Sequence, residues 1–193
     1  TTAPLSEFNL TVSGGQNNVN YYVLLNALTE AGLLKKTKNL TDFSNNSGYT
    51  RYNIRTNVDV NVTKDFTVDF KLGLTIADKT NPKSLNTDGL FDLLSSIPSN
   101  SFPVYNPNKS YGGNALYSNP WGDMLETGSY TSNKRTFQSV LRLTHKLDMI
   151  LPGLSATAGI AFNNRFEGYS HKTRTYQRFA IAQTESGDVY TSF

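Results

Sequence analysis

The stretch "RYNIRTNVDVNVTKDFTVDFKLGLTI", residues 51–76, alternates apolar and polar side chains along most of its length. From Tyr52 the even positions read Tyr52, Ile54, Thr56, Val58, Val60 and Val62, with Asn53, Arg55, Asn57, Asp59 and Asn61 between them. After Thr63-Lys64-Asp65 the order resumes, with Phe66, Val68, Phe70, Leu72, Leu74 and Ile76 set against Thr67, Asp69, Lys71, Gly73 and Thr75. Successive side chains of a strand point to opposite faces, so a period of two rules out a helix here and calls for a hairpin with one greasy and one wet face. Two registers keep the greasy residues together. Pairing Val62 with Phe66 sets Asp59 against Asp69, whereas pairing Val62 with Val68 sets Asp59 against Lys71 and Asp69 against Asn61. Opposite charges across a strand pair stabilise and like charges do not, so the second register is expected, with Lys64-Asp65-Phe66 as the turn.

The same alternation recurs. Phe8, Leu10 and Val12 precede Gly14-Gly15, and Val19, Tyr21, Val23, Leu25 and Ala27 follow it. Phe137, Leu141, Leu143 and Leu147 alternate with Gln138, Arg142, Thr144 and Lys146, and beyond Leu151-Pro152-Gly153 come Leu154, Ala156, Ala158, Ile160 and Phe162. A weaker pair, 174–183 and 188–193, flanks the turn residues Glu185-Ser186-Gly187. Connections around Gly14, Lys64, Pro152 and Ser186 are short, while those over 29–49 and 77–135 are long. Short turns at one end of up-and-down strands and long loops at the other are the asymmetry of outer-membrane barrels. Tyr52–Val62 and Phe66–Ile76 supply eleven alternating residues each, against roughly 9 to 11 needed to cross a bilayer at a tilt. An antiparallel sandwich alternates in the same way, so the pattern alone leaves both architectures open.

Composition removes several classes. The chain has no cysteine, which excludes a disulfide framework, thiol catalysis and cysteine-ligated zinc. No apolar run approaches the length of a spanning helix, yet a mean hydropathy of −0.42 does not argue against a barrel, whose alternation hides its greasy face from averages. The net charge of +3 is scattered, with Lys35-Lys36 and Lys134-Arg135 as the adjacent basic pairs, so no nucleic-acid footprint is read. Asp59 and Asp69 as a carboxylate pair lie on an ordinary wet strand face, and His145 and His171 form no metal spacing. No phosphate loop, nucleophile elbow or zinc-helix motif is present. No catalytic, metal-ligating or cofactor-binding residue is assigned, and no enzymatic activity is expected.

The long loop over 79–135 carries the other candidates. Asp88 is placed to cap a short helix in which Leu90, Phe91, Leu93, Leu94 and Ile97 pack locally before Pro98 stops it. After it come Phe102, Tyr105, Tyr111, Tyr117 and Trp121, interleaved with Asn and Gly. Such rings suit stacking on sugars or gripping a partner, which makes Tyr105, Tyr111, Tyr117 and Trp121 candidate contacts. The competing reading is a loop that folds on itself through these rings.

"LTVSGGQNNVNYYVLLNALTEAGLLKKT" followed by "YTRYNIRTNVDVNVTKDFTV", then Asn119-Pro120 and "FQSVLRLTHKLDMILPGL", resembles the barrel of the SusC/RagA family of TonB-dependent outer-membrane transporters. The shared features are Ser13-Gly14-Gly15 leading into Val19-Asn20-Tyr21-Tyr22-Val23, the strand end Glu30-Ala31-Gly32, and Tyr52-Asn53 opening the next hairpin, over most of residues 7–168. The resemblance implies an all-β chain, 1–193, of antiparallel up-and-down strands forming part of a large transmembrane β-barrel, with a long loop carrying a short helix. Family barrels close with about 22 strands around a plugged lumen, and about eight are supplied here. It further implies the bacterial cell outer membrane, import of a large nutrient such as a glycan or peptide, a SusD-like surface lipoprotein as lid, and coupling to the TonB complex through a plug region with no counterpart in these residues. Arg55, Asp59, Asp69 and Lys71 would then face the lumen and the greasy face would meet outer-membrane lipid. Two rivals stand beside this: a complete eight-stranded outer-membrane barrel ending in Val189, Thr191 and Phe193, and a soluble carbohydrate-binding sandwich burying Val58, Val60, Phe70 and Leu72 between two sheets. Unpaired edges are expected near Phe8 and near Tyr190.

Overall fold

The structure is a computed structural model that describes residues 3–33, 46–82 and 87–193. Lys35-Lys36 and the side chains of Asp88 and Leu90 lie outside the described residues. In chain order the strands are β1 (Leu5–Gln16), β2 (Val19–Ala31), β3 (Gly48–Asn61), β4 (Phe66–Pro82), β5 (Tyr111–Gly112), β6 (Gly128–Lys146), β7 (Ser155–Thr173), β8 (Arg178–Thr184) and β9 (Gly187–Ser192). Helix α1 (Thr87–Ser96) and helix α2 (Pro120–Glu126) lie between β4 and β6.

Six strands form one antiparallel sheet in the order β1-β2-β3-β4-β6-β7, a meander in which sequence neighbours pair. The register keeps the expected faces apart. One row across the sheet reads Tyr21, Val58, Phe70, Leu141 and Ile160, and another reads Val12, Val23, Thr56, Leu72, Ser139 and Phe162. Most greasy residues of the six strands therefore fall in one band, with Leu24, Leu28 and Val140 among the exceptions on the polar face. Along β4 the band runs from Phe66 to Ile76, ten steps of roughly 3.3 Å, which at a tilt of about 40° spans about 25 Å, the height of the apolar belt of an outer-membrane barrel.

This face is not covered. Phe70 is 38% and Ile160 69% exposed, and the buried hydrophobic core among the described residues is Met124 and Leu125 of α2. A soluble sandwich of this size would bury its greasy face against a second sheet, and among the described residues none packs on Val58, Val60, Phe70 and Leu72.

Several sequence expectations are corrected. In the β3-β4 hairpin Asp59 faces Asp69, not Lys71. The turn decides this: Thr63 Oγ1 accepts from the Asp65 and Phe66 amides (3.3 and 3.0 Å), and the Val62 amide donates to the Phe66 carbonyl (2.9 Å). Phe66 thus stays in the strand, its ring edge-on to His145 at 6.0 Å, instead of being spent in the turn. A cross-strand charge pair is worth about 0.2–1 kcal/mol, less than burying even part of a phenylalanine. Asp69 also has a cation opposite it after all, Arg142 of β6, which a single hairpin does not reveal.

The first hairpin turns at Asn17-Asn18, where Asn17 takes φ of 45°, and Gly14-Gly15 lie inside β1. A Cβ on Gly14 would stand 2.6 Å from the Tyr21 hydroxyl, so the glycine makes room for a cross-strand ring. The long connection is shorter than expected, because β4 runs on to Pro82 and β6 begins at Gly128. β8 and β9 do form the expected hairpin, but it joins β5 in a separate three-stranded sheet. The strand containing Val189 and Thr191 therefore does not continue the meander, and among the described residues no eight-stranded closure forms and the second free edge is β7 rather than the chain near Tyr190. Helix α1 starts at Thr87, which puts Asp88 inside it, and Phe91 and Leu94 are 56% and 51% exposed rather than packed into a local cluster.

Candidate functional site

The turns at 17–18, 62–65 and 147–154 lie at one end of the sheet, so the β4-β6 connection and the segment after β7 meet at the other. There they build a joint unit around Asn119, whose side chain is 1% exposed. Asn119 precedes Pro120, which has no amide to lose at the first helical position, and caps α2 by accepting from the Trp121 and Gly122 amides (3.0 and 3.1 Å). Its Nδ2 donates to the carbonyls of Val104 and Gly112 (2.9 and 2.8 Å). One amide side chain thus ties the helix start to two loop segments.

Tyr176, after β7, crosses back to the same place. Its hydroxyl shares its one proton between the Asn119 carbonyl (2.9 Å) and Asp123 Oδ1 (2.8 Å), and its ring lies where a Cβ on Gly122 would have to be, 2.5 Å away. Tyr111 stacks edge-on against Tyr176 (5.2 Å) and tilted against Tyr105 (5.2 Å), and its hydroxyl donates to Glu126 Oε1 (3.0 Å). Trp121 Nε1 donates to the Tyr105 hydroxyl (2.8 Å). Burial, and then the Glu126 carboxylate, push the Tyr111 phenol well above its ordinary value; burial followed by Asp123 does the same to Tyr176. Both rings are held as neutral donors.

Of the four loop aromatics singled out from the sequence, Tyr105, Tyr111 and Trp121 are brought together, with Tyr105 48% exposed at the margin. Tyr117 is held apart through its own amide, which donates to Asn114 Oδ1 (2.8 Å). Tyr176 was missed, since nothing in the segment around it signals a return to a helix 53 residues earlier. The cluster is an aromatic ledge held by ring contacts and hydrogen bonds between loop segments.

Arg55, Asp59, Asp69 and Lys71 all fall on the face opposite the greasy band. The same face carries a ladder that the sequence reading did not single out. Asn26, 8% exposed, donates to Glu7 Oε1 (2.8 Å) and Asn9 Oδ1 (2.7 Å) and accepts from Asn53 Nδ2 (3.0 Å), and Thr75 Oγ1 donates to Asn53 Oδ1 (2.8 Å). Hydrogen bonds run across four strands in one row. Among the described residues no group of three or more His, Cys, Asp or Glu is placed to hold a metal.

An open antiparallel meander with a lipid-height greasy band, a hydrogen-bonded polar face and long connections at one end is the architecture of a segment of an outer-membrane β-barrel. The chain is similar to the TonB-dependent receptor P26 of Formosa agariphila, with 24% identity over 138 residues, covering 71% of this chain. The matched stretch is 12% of that receptor, so the chain spans a small part of the length of the curated relative. No family model matches.

Proposed function

We propose that this chain is a barrel segment of a TonB-dependent outer-membrane transporter of the SusC/RagA kind, which imports a large nutrient, a glycan or a peptide, into the bacterial cell. The observation that carries the reading is the uncovered greasy band of bilayer height backed by a polar, cross-bonded face; similarity to a TonB-dependent receptor supports it. In such a transporter the greasy band meets lipid, and Arg55, Asp59, Asp69 and Lys71 face the lumen and its plug. The long connections lie outside the cell, where Tyr105, Tyr111, Tyr117 and Trp121 meet cargo or a SusD-like surface lipoprotein. Energy enters through the plug and the TonB complex. The chain alters no bond in the cargo.

The test is fractionation and uptake with the full-length transporter. It should enter the outer-membrane fraction, resist extraction by salt and migrate differently on gels before and after heating, and cells should lose uptake of fluorescent polysaccharide when the proton-motive force is collapsed. A protein recovered in the soluble fraction would overturn the proposal and favour the carbohydrate-binding sandwich.

A further inference from the structure

We propose that the polar face, at the end with the long connections, is a docking surface for an acidic saccharide, one bearing uronate carboxylates or sulfate esters. The inference rests on the transporter reading, which makes this face the mouth of the lumen. Arg51, Lys79 and Lys134 stand on three adjacent strands, β3, β4 and β6, and all three point to this face. Lys79 pairs with Tyr49 on one side and Ser132 on the other, while Arg51 and Lys134 both pair with Ala77. Lys79 is therefore a diagonal neighbour of each at about 7–8 Å, and Arg51 and Lys134 lie about 10 Å apart.

None of the three has a carboxylate within ion-pair distance among the described residues. Glu167, which faces Lys134 by register, is engaged by Arg165 at 3.2 Å, and Glu30 is separated from Lys79 by a whole strand. Arg51 is half-buried and its Nε is a buried donor with no partner. The fork of donors on a guanidinium matches a carboxylate or a sulfate.

Aromatic rings flank the cations on the same face. Tyr130 and Tyr169 lie 4.7 and 5.6 Å from the His171 ring, and Tyr49 stands opposite Lys79. Cations bind the acidic substituents of a sugar chain while rings cover its apolar faces.

The test uses the full-length transporter in detergent, with titration calorimetry against oligogalacturonate, chondroitin sulfate oligosaccharide and neutral maltoheptaose at 50 and 300 mM NaCl. At least one acidic probe should bind more tightly than maltoheptaose and weaken several-fold at the higher salt. R51Q/K79Q/K134Q should weaken it tenfold or more, whereas R51K/K79R/K134R, which keeps the charges and controls for folding, should stay within threefold. Absence of acidic-probe binding to the wild-type transporter, or equal binding by the glutamine variant, would overturn the proposal. Unchanged acidic binding combined with a plug newly open to protease would assign the cations to plug contacts and also overturn it. Failure to reach the outer membrane sinks the transporter reading itself, whereas a correctly inserted transporter indifferent to acidic saccharides sinks this inference alone.

Discussion

Arginine placed in turn at each even position of β4, from Phe66 to Ile76, should destabilise the barrel in a bell-shaped profile. Those side chains share the greasy face, and Phe70 and Leu72 straddle its midpoint. An arginine on the lipid face costs about 2–4 kcal/mol at the midplane and about 0–1 kcal/mol near the interfaces. Phe70→Arg and Leu72→Arg should therefore lower the folded-to-unfolded ratio by about 30- to 700-fold, at 1.4 kcal/mol per decade, while Phe66→Arg and Ile76→Arg should cost less than fivefold. On the other face Thr67→Arg should be near neutral, because that side chain meets water and polar neighbours. The assay is guanidinium unfolding of the full-length transporter in lipid vesicles, followed by tryptophan fluorescence and loss of heat-modifiable migration. A flat profile along the even positions, or equal cost at Thr67, would refute the assignment of this face to lipid. If Phe70 simply stood in water, as its 38% exposure in the isolated sheet implies, arginine there would cost little.

Three further outcomes follow from single side chains. Asn26→Ala removes the centre of the polar ladder and strands Glu7, Asn9 and Asn53, so the same unfolding assay should show a loss of about 1–3 kcal/mol; a change under 0.5 kcal/mol would mean that water replaces the ladder freely. Asn119→Ala removes the α2 cap and orphans two carbonyls, so limited proteolysis should cut within 83–127 at least tenfold faster while the strands stay protected, and an unchanged digestion rate would show the cap to be dispensable. The phenols of Tyr111 and Tyr176 are raised above the ordinary value of 10.0, so the neutral form is favoured in the folded unit. Their contribution to stability is complete below pH 10 and is lost as pH rises above it. Absorbance at 295 nm should lose part of its rise above pH 10 in Y111F and in Y176F, and loss of the corresponding absorbance below pH 10 would contradict the burial described here.

The strands were legible because a period of two is set by backbone geometry alone, and eleven residues of it in Tyr52–Val62 and again in Phe66–Ile76 leave little room for another structure. What decides register was less visible. Thr63 folds its hydroxyl onto two amides and fixes the turn, an effect of one side chain that outweighs the charges at Asp59 and Asp69. Gly14-Gly15 carried a turn-like signature for a different reason, since the space they leave is filled by Tyr21 and Asn20 of the partner strand.

The first residues of β6, Gly128–Lys134, carry no alternation because they rise above the greasy band, where both faces are polar; their pairing is imposed by β4 and β7. The hairpin of β8 and β9 has the local pattern of a barrel strand, but its partner is the two-residue β5, and no local pattern encodes that choice. Of the site, the rings at Tyr105, Tyr111 and Trp121 were readable from composition. Tyr176 and the buried amide of Asn119 were not, because their importance lies in contacts made across 53 and 15 residues.

The chain has no cysteine, so within it a single spin label reports one site. Labels introduced one at a time from Val68 to Thr75 of the full-length transporter in lipid vesicles should alternate. Even positions should be relaxed by oxygen, which partitions into the bilayer, and odd positions by a water-soluble nickel chelate. Alternation with that phase would place this face against lipid; the opposite phase, or chelate access at every position, would contradict a transmembrane barrel.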